Sequence, residues 1–211
     1  MVEFFQIAMV AITVAQPPAT TTGENEHSFD AFFIPEGKPF GDTFPFYKDG
    51  VWHLFCMWMP HIGHFITRDL IHWEKHPNCP FGGCTGCVVE DNGKYYMFWT
   101  GNQNILLATS DDLDYWTEYP QNPILIADDK KYSSGYFRDP YVFFNENEGA
   151  WWMLMGSQYI ESSSSGVPTG CVALAKSKDL LNWELADPLW CRNWLRIVIA
   201  HSLSHKVDVG T

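Results

Sequence analysis

Apolar positions in this chain fall in short runs of period two, cut by turn residues, and one arrangement of runs and turns returns three times. A turn followed by an aromatic-rich strand reads Asp49-Gly50-Val51-Trp52-His53-Leu54-Phe55, then Asn92-Gly93-Lys94-Tyr95-Tyr96-Met97-Phe98, then Glu148-Gly149-Ala150-Trp151-Trp152-Met153-Leu154. The glycines are 43 and 56 residues apart. After each comes a second element: Ile66-Thr67-Arg68-Asp69-Leu70-Ile71-His72-Trp73, Ala108-Thr109-Ser110-Asp111-Asp112-Leu113-Asp114-Tyr115-Trp116, and Ala175-Lys176-Ser177-Lys178-Asp179-Leu180-Leu181-Asn182-Trp183. An apolar strand precedes each turn, at 43–47, 87–89 and 141–144.

Asp-Gly and Asn-Gly between β-rich runs are strong hairpin signals. Each unit therefore predicts a strand, a hairpin, an aromatic strand, a third strand, and a Ser/Thr-x-Asp-Leu-x-x-Trp turn leading to a fourth. Four-stranded units recurring at this spacing are the signature of β-propeller blades. No amphipathic helix of twelve or more residues interrupts them. The recurring Trp reads as packing between blades, because it returns in every unit. The expected fold is thus all-β, a propeller domain over 30–211 after an apolar segment and linker at 1–29.

Counting the units changes the picture. Three blades fit between Asp30 and about Asp187, and the residues beyond suffice for one or two strands, whereas closed propellers have four to eight blades. An incomplete ring leaves unpaired edges and bare blade faces, so a homo-oligomer, most simply a two-fold dimer, is expected. The apolar segments at 4–15 and 194–203 read as strands seeking partners. The first of these has the length of a signal-peptide core, but Glu3 and no Lys or Arg precede it, so a strand suits it as well and secreted and cytoplasmic locations both stay open.

Composition narrows the chemistry. The net charge of −12 argues against affinity for nucleic acid or anionic membranes, and 46% hydrophobic residues suit a packed domain. Ten Trp can stack on sugar rings or fill a core. Six Cys at 56, 79, 84, 87, 171 and 191 read as small core residues; Cys84-x-x-Cys87 lacks the second pair a zinc site needs. His61-x-x-His64 and His201-x-x-x-His205 have poor metal-site context, and no phosphate loop or Gly-x-Ser-x-Gly elbow occurs. No metal and no cofactor is expected.

The stretch Gly63-His64-Phe65-Ile66-Thr67-Arg68-Asp69-Leu70-Ile71-His72-Trp73-Glu74 resembles the Gly-His-Ala-x-Ser-x-Asp-Leu-x-His-Trp signature of glycoside hydrolase family 32, the β-fructofuranosidases, invertases and levanases. Phe137-Arg138-Asp139-Pro140 resembles that family's Arg-Asp-Pro motif, Gly41-Asp42 before the first hairpin its opening Asp motif, and Thr85-Gly86-Cys87-Val88-Val89 its Ser-Gly-Ser/Ala motif. The motifs stand in family order over roughly 30–197. Family 43 arabinanases and xylosidases, which share the five-bladed propeller and three acidic residues, are the close second.

The resemblance implies a sugar site on the axis of a five-bladed propeller, with an oligo- or disaccharide as substrate. Asp42 is then the nucleophile that attacks the anomeric carbon of a furanosyl ring. Asp139 stabilises the oxocarbenium-like transition state, and Arg138, Thr85 and Trp58 contact the sugar. A carboxylate kept ionised can trap a developing cation, as retaining glycosidases require. Where the family has Asn-Asp-Pro-Asn-Gly, this chain has Gly41-Asp42-Thr43-Phe44-Pro45. Its Glu-Cys motif, the source of the acid/base at the start of a fourth blade, is matched by Trp190-Cys191, and indole has no titratable proton to donate. Glu161 is the remaining nearby carboxylate, and Glu184 reads as structural because it recurs as Glu74 and Glu118. Two readings follow: a β-fructofuranoside hydrolase, or a carbohydrate-binding relative without full catalytic machinery.

Overall fold

Short strands joined by tight turns leave each run one near partner, the next strand along the chain. The computed structural model, which describes residues 41–160 and 169–191, has this arrangement three times. β1 (Gly41–Lys48), β2 (Val51–Trp58), β3 (His61–Thr67) and β4 (Glu74–His76) form the first antiparallel sheet in chain order. β5 (Gly86–Asp91), β6 (Lys94–Gly101), β7 (Asn104–Ser110) and β8 (Thr117–Glu118) form the second. β9 (Tyr132–Asn145), β10 (Ala150–Tyr159), β11 (Thr169–Ser177) and β12 (Trp183–Leu185) form the third, and β13 (Trp190–Cys191) pairs with β11. The first strands lie against one another, β1 on β5 and β5 on β9, which is the blade arrangement of a propeller.

The hairpin signals act as expected. Asp49 and Gly50 have φ of 48° and 83°, and Asn92 and Gly93 have 50° and 78°, so both tight turns use two left-handed residues, which Asp, Asn and Gly tolerate best. The Ser/Thr-x-Asp-Leu turn is equally regular. The hydroxyls of Thr67, Ser110 and Ser177 accept the N–H of Leu70, Leu113 and Leu180 at 2.9, 2.9 and 3.0 Å. Asp69, Asp112 and Asp179 accept the next two N–H groups. Each Leu sits at φ between 63° and 71°, a strain these local bonds offset.

The turns also deliver the packing Trp. Trp116 stands edge-on to Phe55 of the first sheet with ring centroids 5.8 Å apart, and Trp183 stands edge-on to Phe98 of the second at 5.6 Å. Phe55 and Phe98 are fully buried, so each turn seals its own sheet to the one before it. Each such ring contributes on the order of 2–3 kcal/mol by burial.

Two strands differ from expectation. The innermost strand expected at 141–144 extends back to Tyr132, because an interruption at Asp139 splits one long strand rather than starting it. Trp190-Cys191, expected to open a fourth blade, lies on the third sheet instead, where Cys191 pairs with Cys171 and Trp190 with Val172. Three-residue β12 covers only 175–177 of β11, and β13 fills the remaining edge. The segment 1–29, the apolar runs at 4–15 and 194–203, Glu161, His201 and His205 lie outside the described residues.

Candidate active site

The expected polar residues lie at the starts of β1 and β5 and at the interruption within β9. Asp42 is the second residue of β1, Thr85 immediately precedes β5, and Arg138 and Asp139 lie within β9. Asp42 and Asp139 share an unusual backbone. Asp42 has φ of 44° and Asp139 of 60°, and each sits at an irregularity in pairing with the second strand of its sheet. Such a bulge re-aims a side chain out of the ladder. Left-handed non-glycine residues at equivalent places in two sheets mark a constrained backbone geometry.

The side chains are brought into electrostatic reach of one another. Burial and the nearby Asp42 carboxylate push the Asp139 carboxyl above its ordinary range, against the Arg138 guanidinium and a hydrogen bond from the Thr85 hydroxyl. Arg138 Nε lies 3.8 Å from Asp139 Oδ2, and its guanidinium lies over the Tyr136 ring at 5.7 Å. Cys84 is exposed and close enough that both Asp42 and Asp139 raise its thiol pKa, after burial, the largest cause. Asp42, Cys84, Thr85, Arg138 and Asp139 therefore form one polar patch at the starts of β1 and β5 and the interruption within β9, half open to solvent.

Thr100, at the end of β6, ties this patch together. Its hydroxyl accepts the Asp139 N–H at 2.8 Å, its N–H donates to the Thr85 carbonyl at 3.1 Å, and its carbonyl accepts the Cys84 N–H at 3.0 Å. Thr100 is 3% exposed. Sequence reasoning missed it, although a Thr closing the apolar run Met97-Phe98-Trp99 is a signal of a buried polar role. The loop before β5 comes this close to β6 because Gly83 and Gly86 carry no side chain. A Cβ on either would fall 2.2 Å from Trp99 or from the Phe98 carbonyl.

Trp58 stands apart from the patch. Expected to contact sugar, it is 5% exposed and packed with Cys56 and Phe65, its ring under the Lys75 ammonium at 5.7 Å. Alternation along β2 puts Cys56 and Trp58 on the face opposite Phe55. Trp190, matched by sequence alone to the family's Glu-Cys motif, is 55% exposed on the edge of the third sheet. A cleft of about 540 Å³ adjoins the patch, sharing Cys84 and Thr100 and lined also by Met59, Asn102 and Asn104. Another depression, of about 590 Å³, lies at the β10 hairpin around Glu148, Lys176 and Asp179 and contains none of the patch residues.

Comparison with known proteins matches residues 43–194 to the glycosyl hydrolases family 32 N-terminal domain. The chain is similar to sucrose-6-phosphate hydrolase of Zymomonas mobilis, 29% identical over 172 residues that cover 68% of this chain and 32% of that protein. It is 28% identical over 181 residues to fructan 1-exohydrolase w2 of Triticum aestivum, covering 71% and 28%. Among solved structures, the Bombyx mori GH32 β-fructofuranosidase superposes with a TM-score of 0.58 at 27% identity, over 72% of this chain and 35% of that one. Fructan 1-exohydrolase IIa of Cichorium intybus superposes with a TM-score of 0.64 at 22% identity, over 75% and 34%. The chain spans about a third of the length of the curated relatives it matches. Its three sheets are blades of the propeller these neighbours share.

Proposed function

We propose, because the chain belongs to glycosyl hydrolase family 32, that it hydrolyses β-fructofuranosides of the sucrose or fructan type with retention of configuration. The observation that carries this reading is the pairing of Asp42 with Asp139, both left-handed and both at bulges of innermost strands. Two carboxylates within electrostatic reach of one another on one patch supply a nucleophile and a second negative charge for a developing cation. Asp42 attacks the anomeric carbon of the fructosyl ring, and the bond to the leaving oxygen breaks as the bond to Asp42 forms, the leaving oxygen taking its proton from solvent and the later attacking water returning one. Asp139 faces the ring, where its negative charge offsets the developing cation. The Arg138 guanidinium favours the charged form of Asp139 against burial and offers donors to ring hydroxyls. Water then displaces Asp42 and releases fructose.

Relatives with crystal structures include a Bombyx mori β-fructofuranosidase complexed with sucrose and a Cichorium intybus exohydrolase complexed with 1-kestose, which supports a sugar with a terminal fructosyl unit. The cleft beside Cys84 is in the size range of a small-ligand site. A second reading is favoured by Trp190: with no titratable side chain at that place, the chain binds fructosides and does not turn them over. Incubation with sucrose, inulin, levan and aryl arabinofuranosides, with assay of released sugar and calorimetric binding, separates the readings. Fructose release abolished by Asp42→Asn supports hydrolysis. Binding without release supports the second reading, release from the arabinofuranoside alone moves the chain toward family 43 chemistry, and neither binding nor release overturns all of these.

A further inference from the structure

The repeat exposes its own exceptions. Aligning the three blades on the Gly of the hairpin and the Trp of the turn places His53 where the others have Tyr96 and Trp152. His64 stands where they have Leu107 and Leu174, and His76 where they have Tyr119 and Ala186. Asp114 stands in the second turn where the other two have Ile71 and Leu181. Four positions that are otherwise aliphatic, aromatic or Ala have thus become three imidazoles and a carboxylate, and the fold brings all four to one spot.

That spot is the seam between the first two blades. His76 Nδ1 lies 2.6 Å from Asp114 Oδ1, and His64 Nδ1 lies 3.5 Å from the same oxygen. One ligand atom from each of His64, His76 and Asp114 lies within 4.8 Å of the other two. His64 is fully buried, and its Nδ1 makes no hydrogen bond. Its other nitrogen, Nε2, is 2.9 Å from His53 Nδ1. With the Nε2 proton donated to His53, the Nδ1 lone pair is left facing a carboxylate oxygen 3.5 Å away, an arrangement that costs free energy unless a cation stands between them.

We propose that His64 Nδ1, His76 Nδ1 and Asp114 Oδ1 hold a divalent transition-metal ion of the zinc class. Two imidazoles and a carboxylate are a donor set zinc accepts, and tetrahedral coordination asks for ligand atoms about 3.3 Å apart. The observed separations bracket that value, and the side chains of Asp114 and His76 retain 32% and 22% of their exposure, which leaves an entry path and a place for a water ligand. His53 fixes the His64 tautomer from the outer shell, the part played by the carboxylate or carbonyl that orients a metal-bound imidazole. The ion staples the first blade to the turn of the second, and so fixes β1, which carries Asp42, against β5, which Thr85 precedes.

The test uses the full chain stripped with a chelator and titrated with zinc by calorimetry and thermal melting. One ion bound per chain, with a melting temperature that rises with zinc, is expected. Asp114→Asn and His76→Gln are expected to weaken binding by at least about tenfold, the loss typical of disturbing a metal's ligand shell. His72→Gln, at an exposed His-Asp pair elsewhere, leaves binding unchanged. Should a variant fail to fold, cobalt(II) loaded into the unaltered chain gives the visible bands of a four-coordinate nitrogen and oxygen site. No zinc-dependent shift, binding retained by both variants, or cobalt spectra of an octahedral ion would each overturn the proposal.

Discussion

Asp139 is where backbone and chemistry meet most closely. Its left-handed φ is one that Asn tolerates nearly as well as Asp, so Asp139→Asn removes charge without adding strain. We predict a fall in fructoside turnover of at least about a hundredfold, the scale of one transition-state interaction, with a melting temperature within a few degrees of the parent. A large fall in melting temperature with turnover retained would assign Asp139 a structural role instead. The Thr85 hydroxyl stabilises the charged form of Asp139, so Thr85→Val raises that pKa further. An Asp that must be ionised gains activity as pH rises through its pKa, and the acid limb of kcat/KM in Thr85→Val therefore moves to higher pH. An unmoved limb would mean that another group sets it. Asp42, Arg138 and Asp139 were legible as motifs, since an acidic residue ahead of the hairpin turn repeats in order. Thr100 was not, because its role comes from where β6 ends beside two loops distant in sequence. The packing of Trp58 was not legible for a similar reason: a period-two run fixes which residues share a face and not which face is covered.

At the scale of elements, the Ser/Thr-x-Asp-Leu turn is the strongest regularity. Hairpins and turns were readable because Asp-Gly, Asn-Gly and this motif fix φ and hydrogen bonds locally, whereas β13 depended on how much of β11 the short β12 leaves bare. Trp116→Ala removes the ring that meets Phe55 and is expected to cost about 3–5 kcal/mol, whereas Tyr115→Ala, at a residue 73% exposed, changes stability by under about 0.5 kcal/mol. Denaturant titration of both variants checks this, and equal losses would show that Trp116 does not bear blade packing. The Asp179 turn is acid-sensitive. Burial opposes its ionised form, but the Asn182 N–H and side-chain amide, the Leu181 N–H and the Ser177 hydroxyl outweigh it and hold the pKa near 2. A depressed folded pKa gives stability that is full above the ordinary carboxylate range and fades as pH falls through the folded value. Asp179→Asn should therefore flatten the stability profile between about pH 4 and pH 2, and an unchanged profile would move that sensitivity to another group.

At the scale of the molecule, the third blade presents exposed aromatics among the described residues. Tyr136, Tyr141 and Phe144 of β9 are 49%, 56% and 48% exposed, and Trp190 on β13 is 55% exposed. Aromatics gathered on the strand that lines the propeller axis, and on the sheet edge, are surface that soluble proteins tend to bury in contacts. We therefore predict a homo-oligomer, most simply a two-fold dimer. Light scattering that finds a stable monomer across micromolar dilution would refute it, while a dimer weakened by Tyr141→Ser and Phe144→Ser would locate the interface.

The chain-order pairing of strands within each sheet also bears on how the protein acquires its structure. The first two sheets close through short loops, so the entropy lost in forming them is small and their contacts are local. The longer-range contacts are those between blades, where Trp116 and Trp183 dock on Phe55 and Phe98. Each blade is then a separate cooperative unit whose opening free energy is set by its neighbours as much as by itself. In native-state hydrogen exchange, amides of β6, flanked on both sides, should be the slowest, and a lesion at Trp183 should loosen the third blade well before the first.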